Sequence, residues 1–236
     1  QWIAEELVNT TDITIKDTIQ EAEIEYITPP PTVTEEAINL YKKKVIIASD
    51  IHYTNILAYA DIKETTRDRI RLYHIQNGAQ VLAPIAAYQD TNNNGRIDRL
   101  EWIVPSLSTQ TYIIEIIKAD HLDTNRQFLA DIYNETKALD GVWSEPILHN
   151  EYVRVIFEKN LTAANDITVY VRNTQGLNTL IEVYEAYSQQ KIAEFSIITG
   201  EQYYQVLLTS LQGSQDAFDL RIVNTENNVV AFLEFD

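Results

Sequence analysis

The sequence contains no cysteine and no methionine, and only six glycines and four histidines among 236 residues. Each scarcity removes a class of chemistry. Without cysteine there is no disulfide, no thiolate metal centre and no thiol nucleophile. So few glycines leave no phosphate-cradling loop, and no G-x-S-x-G elbow occurs. His52, His74, His121 and His149 are scattered, and no pair has the spacing of a metal motif. No run of 18 apolar residues is found, so no membrane-crossing helix is expected. A start at Gln1 implies a chain that begins after processing, its signal peptide removed, or a fragment. Positive charge is scarce too: 18 Lys plus Arg face 35 Asp plus Glu, for a net charge of −17. Such a surface repels phosphates and anionic headgroups, so neither nucleic acid nor membrane is expected as a partner.

What is present is a globular composition, 45% hydrophobic, and one specific pattern. Asp90 to Glu101 reads DTNNNGRIDRLE and matches D-x-[DN]-x-[DN]-G-x5-E at every specified position. In a calcium loop of this kind Asp90, Asn92 and Asn94 offer side-chain oxygens and Arg96 its carbonyl. Asp98 binds through water, and Glu101 closes the shell through both oxygens. Gly95 takes the sharp turn and Ile97 pins the loop. The alternative is a solvated Asn/Gly turn. Pro84 and Pro105 forbid long flanking helices, so the loop is expected to join two strands. With three carboxylates and two amides, affinity belongs to the weak extracellular class, on the order of 0.1–1 mM.

The chain divides by pattern. Residues 1–31 form an arm in which Ile13, Ile15, Ile19 and Ile24 partly alternate before Pro29-Pro30-Pro31, a stiff spacer. Residues 32–118 predict an Ig-like β domain of short strands, with a turn at Asn77-Gly78. Over 119–141 the spacing of Leu122, Phe128, Leu129, Ile132, Tyr133 and Leu139 predicts a bridging helix, stopped by Gly141. Residues 142–236 carry seven strand-like segments, the pattern of a second sandwich, jelly-roll or Ig-like. The predicted class is therefore mainly all-β, with two sandwiches. Sequons at Asn9, Asn134 and Asn160 point towards an exported glycoprotein.

Several segments carry a resemblance: VIIASDIHYTNILAY, then DTNNNGRIDRLEWIVPSLSTQTYIIEI, ADHLDTNRQFLADIY, WSEPILHNEYVRVIFEKNLTAANDITVYVRN and SQDAFDLRIV. Over roughly residues 27–236 the chain resembles a module of large secreted cell-surface proteins of DPANN-type archaea. In that family a calcium-type loop precedes a run like Glu101–Tyr112. The resemblance implies an exported, β-rich, non-enzymatic surface protein. Asn92 and Asn94 stand where the family often has Asp, which weakens the expected metal affinity.

Other chemistry is sparse. Glu145, Glu151, Glu158, Glu182 and Glu185 are the nearest candidates for a hydrolytic carboxylate pair, but acidic strand faces supply such pairs by composition alone, and no enzyme is expected. Trp143, Tyr152, Tyr170, Tyr184, Tyr187, Tyr203 and Tyr204 offer rings for sugar stacking, although tyrosine also suits strands for packing reasons. The expected function is a structural subunit of an extracellular filament or surface array. Copies would join head to tail by donating the arm as a strand, with calcium stiffening the module. The alternative is an adhesion or carbohydrate-binding module, with glycans or another cell surface as partner.

Overall fold

The structure is a computed structural model and describes residues 28–226 and 230–236. The arm residues Ile13, Ile15, Ile19 and Ile24 and the sequon at Asn9 lie outside them. Residues 31–236 form one compact unit. It is nearly all β, in antiparallel sheets, as the alternating sequence predicts. Among the described residues no helix is long and apolar enough to cross a membrane.

The first lobe is one sheet. Its strands are β1 (Thr32–Asn39), β2 (Lys42–Thr65), β3 (Ile70–Gln76), β4 (Ala79–Leu82), β5 (Ala87–Gln89) and β6 (Ile97–Ile116). They run in the order β1-β2-β6-β3-β4, with β5 on the far half of β6. The β3–β4 hairpin turns at Asn77-Gly78, both at positive φ, as its sequence predicts. Elsewhere the strands are longer than the short runs expected. Two pairs of predicted strands fuse into β2 and β6, which pair from Lys42–Glu115 to Thr65–Ile97. The ribbon is interrupted where Ala48 pairs Thr109 and Tyr53 pairs Leu107, leaving Ser49–His52 opposite Ser108 alone. Pro105, which cannot donate, and Asn55, at φ 55°, mark the same level. Bulges bend strands, and this one doubles the ribbon over. Trp102 and Tyr112 have ring centroids 5.4 Å apart, yet ten positions of straight strand would span about 33 Å. Val45, Ile47 and Leu72 from one half thus share a core with Leu100, Trp102 and Val104 from the other.

The second lobe is a two-sheet sandwich. It begins with β7 (Lys118–Leu122), β8 (Phe128–Asp131) and a single helical turn, α1 (Tyr133–Thr136). The bridging helix expected over 119–141 is reduced to that turn. The reason is local and tertiary together. Asp123 Oδ1 accepts the N–H groups of Asn125 and Gln127, a turn that competes with helix, and β7 docks in register on a neighbouring strand. Then follow β9 (Ile147–Leu148), β10 (Tyr152–Leu161), β11 (Asp166–Arg172), β12 (Thr179–Glu185), β13 (Lys191–Glu194), β14 (Gln202–Leu207), β15 (Gln215–Asn224) and β16 (Phe232–Phe235). One sheet runs β13-β12-β15-β10-β7-β8 and the other β14-β11-β16-β9. Their inner faces share a core that includes Phe218, Ile181, Ile167 and Leu233.

The lobes meet without a linker, since β6 passes into β7 through Ile117. Lys42 bridges Glu115 of the first lobe and Asp216 of the second. Arg69 pairs with Asp131, Arg71 with Glu158, and Tyr73 donates to the Glu158 carbonyl. Glu115 is fully buried. Burial outweighs Lys42 and raises its carboxyl to about 7.

Candidate functional site

The Asp90–Glu101 loop joins β5 to β6. Its first half is drawn together by its own amides. Asp90 accepts from the N–H groups of Asn94 (3.1 Å) and Gly95 (2.7 Å), and Asn92 from Asn94 N–H at 3.1 Å. Asn94 in turn accepts from Arg96 N–H at 2.8 Å. Gly95 sits at φ +84°, a conformation that strains any residue with a Cβ. The second half diverges. Both oxygens of Asp98 are taken by Thr91, through its backbone N–H and hydroxyl, and these bonds hold its pKa below the ordinary value. Glu101 Oε1 accepts from Gln89 Nε2 at 3.3 Å. Both acids lie on β6, three positions apart, and such residues of a strand point to opposite faces. Leu100 and Trp102, in phase with Asp98, are buried, so Glu101 is on the outer face. In a helical continuation the two would share a face. The calcium fit is therefore partial: Asp90, Asn92 and Asn94 are assembled, while Glu101 is turned away from Asp98. Among the described residues no three His, Asp or Glu side chains are grouped as a metal site.

The other sequence candidates separate. Asn134 and Asn160 are both exposed. His74 stacks on Tyr112 and bonds Gln110, His121 meets Glu151, and His149 Nδ1 accepts from Asn224 N–H. Glu158 and Glu182 are tied to Arg71, Lys191 and Arg221. Of the rings, Tyr204 is buried and accepts from Thr199 N–H, while Tyr152 and Tyr184 both face Arg126. Trp143, Tyr170 and Tyr203 form a row, with centroid separations of 5.6 Å and 4.8 Å. Arg172 lies over Trp143 and is held by both oxygens of Glu234. Tyr170 and Tyr203 also border a groove of about 400 Å³.

Sequence reading missed a second cavity, of about 770 Å³, between the lobes. Its walls include Lys63, Arg69, Arg96, Lys118, Arg126 and Arg154. These residues are spread over some ninety positions of chain, so no linear motif signals them.

No protein-family model matches the chain, and no curated protein matches it. Two solved structures resemble it weakly. One is a glycoside hydrolase 29 family member from an unknown rumen bacterium, at TM-score 0.25 and 11% identity, matched over 86% of this chain and 40% of that one. The other is the Arthrobacter globiformis T6 isomalto-dextranase complexed with panose, at TM-score 0.19 and 9% identity, matched over 82% and 34%. The chain thus spans well under half the length of either.

Proposed function

We propose that this chain is a non-enzymatic, extracellular structural protein whose copies join head to tail by β-strand addition. The observation that carries this reading is the edge of the six-stranded sheet. Among the described residues β1 pairs only with β2, and seven of its eight residues are exposed. An edge of this length is a row of backbone donors and acceptors open to another strand. The alternating segment ahead of it, with Ile13, Ile15, Ile19 and Ile24, supplies a strand of the right character. Donor and acceptor are different surfaces, so the contact propagates without closing and builds a fibre or array. Sedimentation of a chain lacking residues 1–28 tests the idea: it should stay monomeric where the parent polymerises, and polymerisation of the truncated chain sinks it. Calcium enters only as a stiffener of the β5–β6 turn. Calorimetry should lose its calcium signal in Asp90→Ala and keep it in Glu101→Gln, because Glu101 faces away.

A second reading, a carbohydrate-binding surface, is favoured by the row Trp143–Tyr170–Tyr203. Trp143 and Tyr170 are half-buried and Tyr203 is exposed, and aromatic rings of this kind can stack on sugars. A glycan array with Tyr203→Ala as control tests it, and the absence of saturable binding by the parent chain removes it.

A further inference from the structure

The cavity between the lobes concentrates what the rest of the molecule lacks. Six of the chain's 18 Lys and Arg residues line it, against three of its 35 acids: Glu64, Asp120 and Asp131. Two of the cations, Lys63 and Arg96, have no carboxylate partner among the described residues. Lys63 and Lys118 converge on the Tyr41 hydroxyl, at 3.1 Å and 3.0 Å. Burial alone would raise that hydroxyl, but the two ammonium groups outweigh it and hold its pKa below the ordinary value. The cavity is thus locally electropositive in a strongly acidic protein.

The cavity wall includes Asp120 and Arg69, both almost wholly buried and paired with Lys118 and Asp131. At the rim Phe128 and Tyr187 are 60% and 61% exposed.

The backbone singles out the same place. Among the described residues six non-glycine positions have positive φ. Four are asparagine, which tolerates that conformation. The other two are Arg126 and Tyr187, both lining this cavity. Strain of this kind persists where surrounding contacts fix it. Arg126 donates to the Ser188 carbonyl at 2.8 Å and pairs with buried Asp219. Tyr187 lies over Arg154, 4.1 Å away, and Arg154 holds the same Asp219 through two bonds.

We propose that this cavity binds an acidic saccharide, its carboxylate held by Lys63 and Arg96 and its ring against Tyr187 and Phe128. The volume suits a small ligand, since such sites run to roughly 300–1,000 Å³. Exposed rings beside unneutralised positive charge select a uronate-bearing sugar over a bare phosphate, and the competitors below separate it from an acidic peptide. The proposal goes beyond both readings above. Its residues lie outside the segment tested for assembly and include none of the row Trp143–Tyr170–Tyr203.

The test is calorimetric titration of the whole chain with tetramers containing galacturonate, mannuronate or glucuronate. Each is compared with its neutral methyl ester, and inorganic phosphate and poly-glutamate serve as competitors. At least one acid tetramer should bind saturably, with its ester about ten-fold weaker or more. Lys63→Ala and Arg96→Ala change exposed side chains and should keep the parent's thermal midpoint while weakening binding about ten-fold. Tyr187→Asn keeps a residue suited to positive φ, removes the ring and should also weaken binding. Tyr203→Ala should leave it unchanged. Three outcomes overturn the site: no acid tetramer binds saturably, the esters bind as well as the acids, or the Lys63 and Arg96 variants bind like the parent. Displacement by phosphate or poly-glutamate at equal charge concentration overturns the saccharide assignment in favour of a simple anion or an acidic peptide.

Discussion

The first lobe buries Trp102 by doubling one ribbon over itself, whereas the second buries Phe218 between two separate sheets. Both reach full burial, but they depend on different features. The doubled ribbon needs a break at a defined level, supplied by Asn55, Pro105 and the four residues opposite Ser108. The sandwich needs only alternating strands that face each other. Away from their junction the lobes also treat charge differently. The second keeps Asp219 fully buried between Arg126 and Arg154. The first keeps pairs such as Arg99–Asp61 near solvent. A buried ionic knot gives one arrangement and tolerates little change, while a surface pair tolerates much.

The sharpest way to break this comparison is to remove one acid from each lobe. Asp219→Asn leaves two guanidinium groups without their counter-charge and should cost about 3–5 kcal/mol. Asp61→Asn, at an exposed pair with Arg99, should cost far less. Denaturant unfolding of the two variants reads the contrast, and equal effects would mean that the buried knot matters no more than the surface pair.

The junction comes next. Glu115 ionises near pH 7 in the folded chain, against an ordinary value of 4.5. Below pH 4.5 it is protonated in both states. Between 4.5 and 7 the folded state alone holds the proton, so its contribution to stability falls as pH rises, on the order of 3 kcal/mol in all. Glu115→Gln should remove that slope, gaining on the parent from pH 5 to 7.5 in parallel thermal melts. A constant difference between the two would show that burial does not control this carboxyl.

A smaller effect concerns the core of the doubled ribbon. The Trp102 indole N–H is buried with no hydrogen-bond partner. Trp102→Phe therefore removes an unsatisfied donor along with apolar volume. It should cost less than about 1.5 kcal/mol, where loss of a paired group of that size costs more. Smallest is the fold-over itself. Asn55→Ala should cost about 1 kcal/mol because its φ is positive, and Asn55→Gly should be nearly neutral. A neutral alanine variant would mean the bend can relax.

Much of the fold was legible because its signals are local. Alternation of apolar residues gave the strands, and Asn77-Gly78 gave a hairpin by turn chemistry alone. The helix expected over 119–141 failed for the same kind of reason read too weakly. Asp123 and Asn125 favour a turn, and Leu122 sits in a strand because β10 lies beside it. Of the candidate sites, the Asp90–Gly95 turn was legible, since its side chains bond amides a few positions away. The divergence of Asp98 and Glu101 was not, because it depends on β6 starting as a strand.

The amino-acid order by itself determined an all-β chain without thiol chemistry, with a strongly acidic balance and a self-bonded Asn/Gly turn, since composition, period and turn preference act over a few residues. Only the tertiary structure decided that one ribbon folds on itself, that Lys42 joins Glu115 to Asp216, and that six scattered cations meet in one cavity. Those outcomes rest on contacts between residues far apart in the chain, whose pairing is fixed by which faces can be buried together.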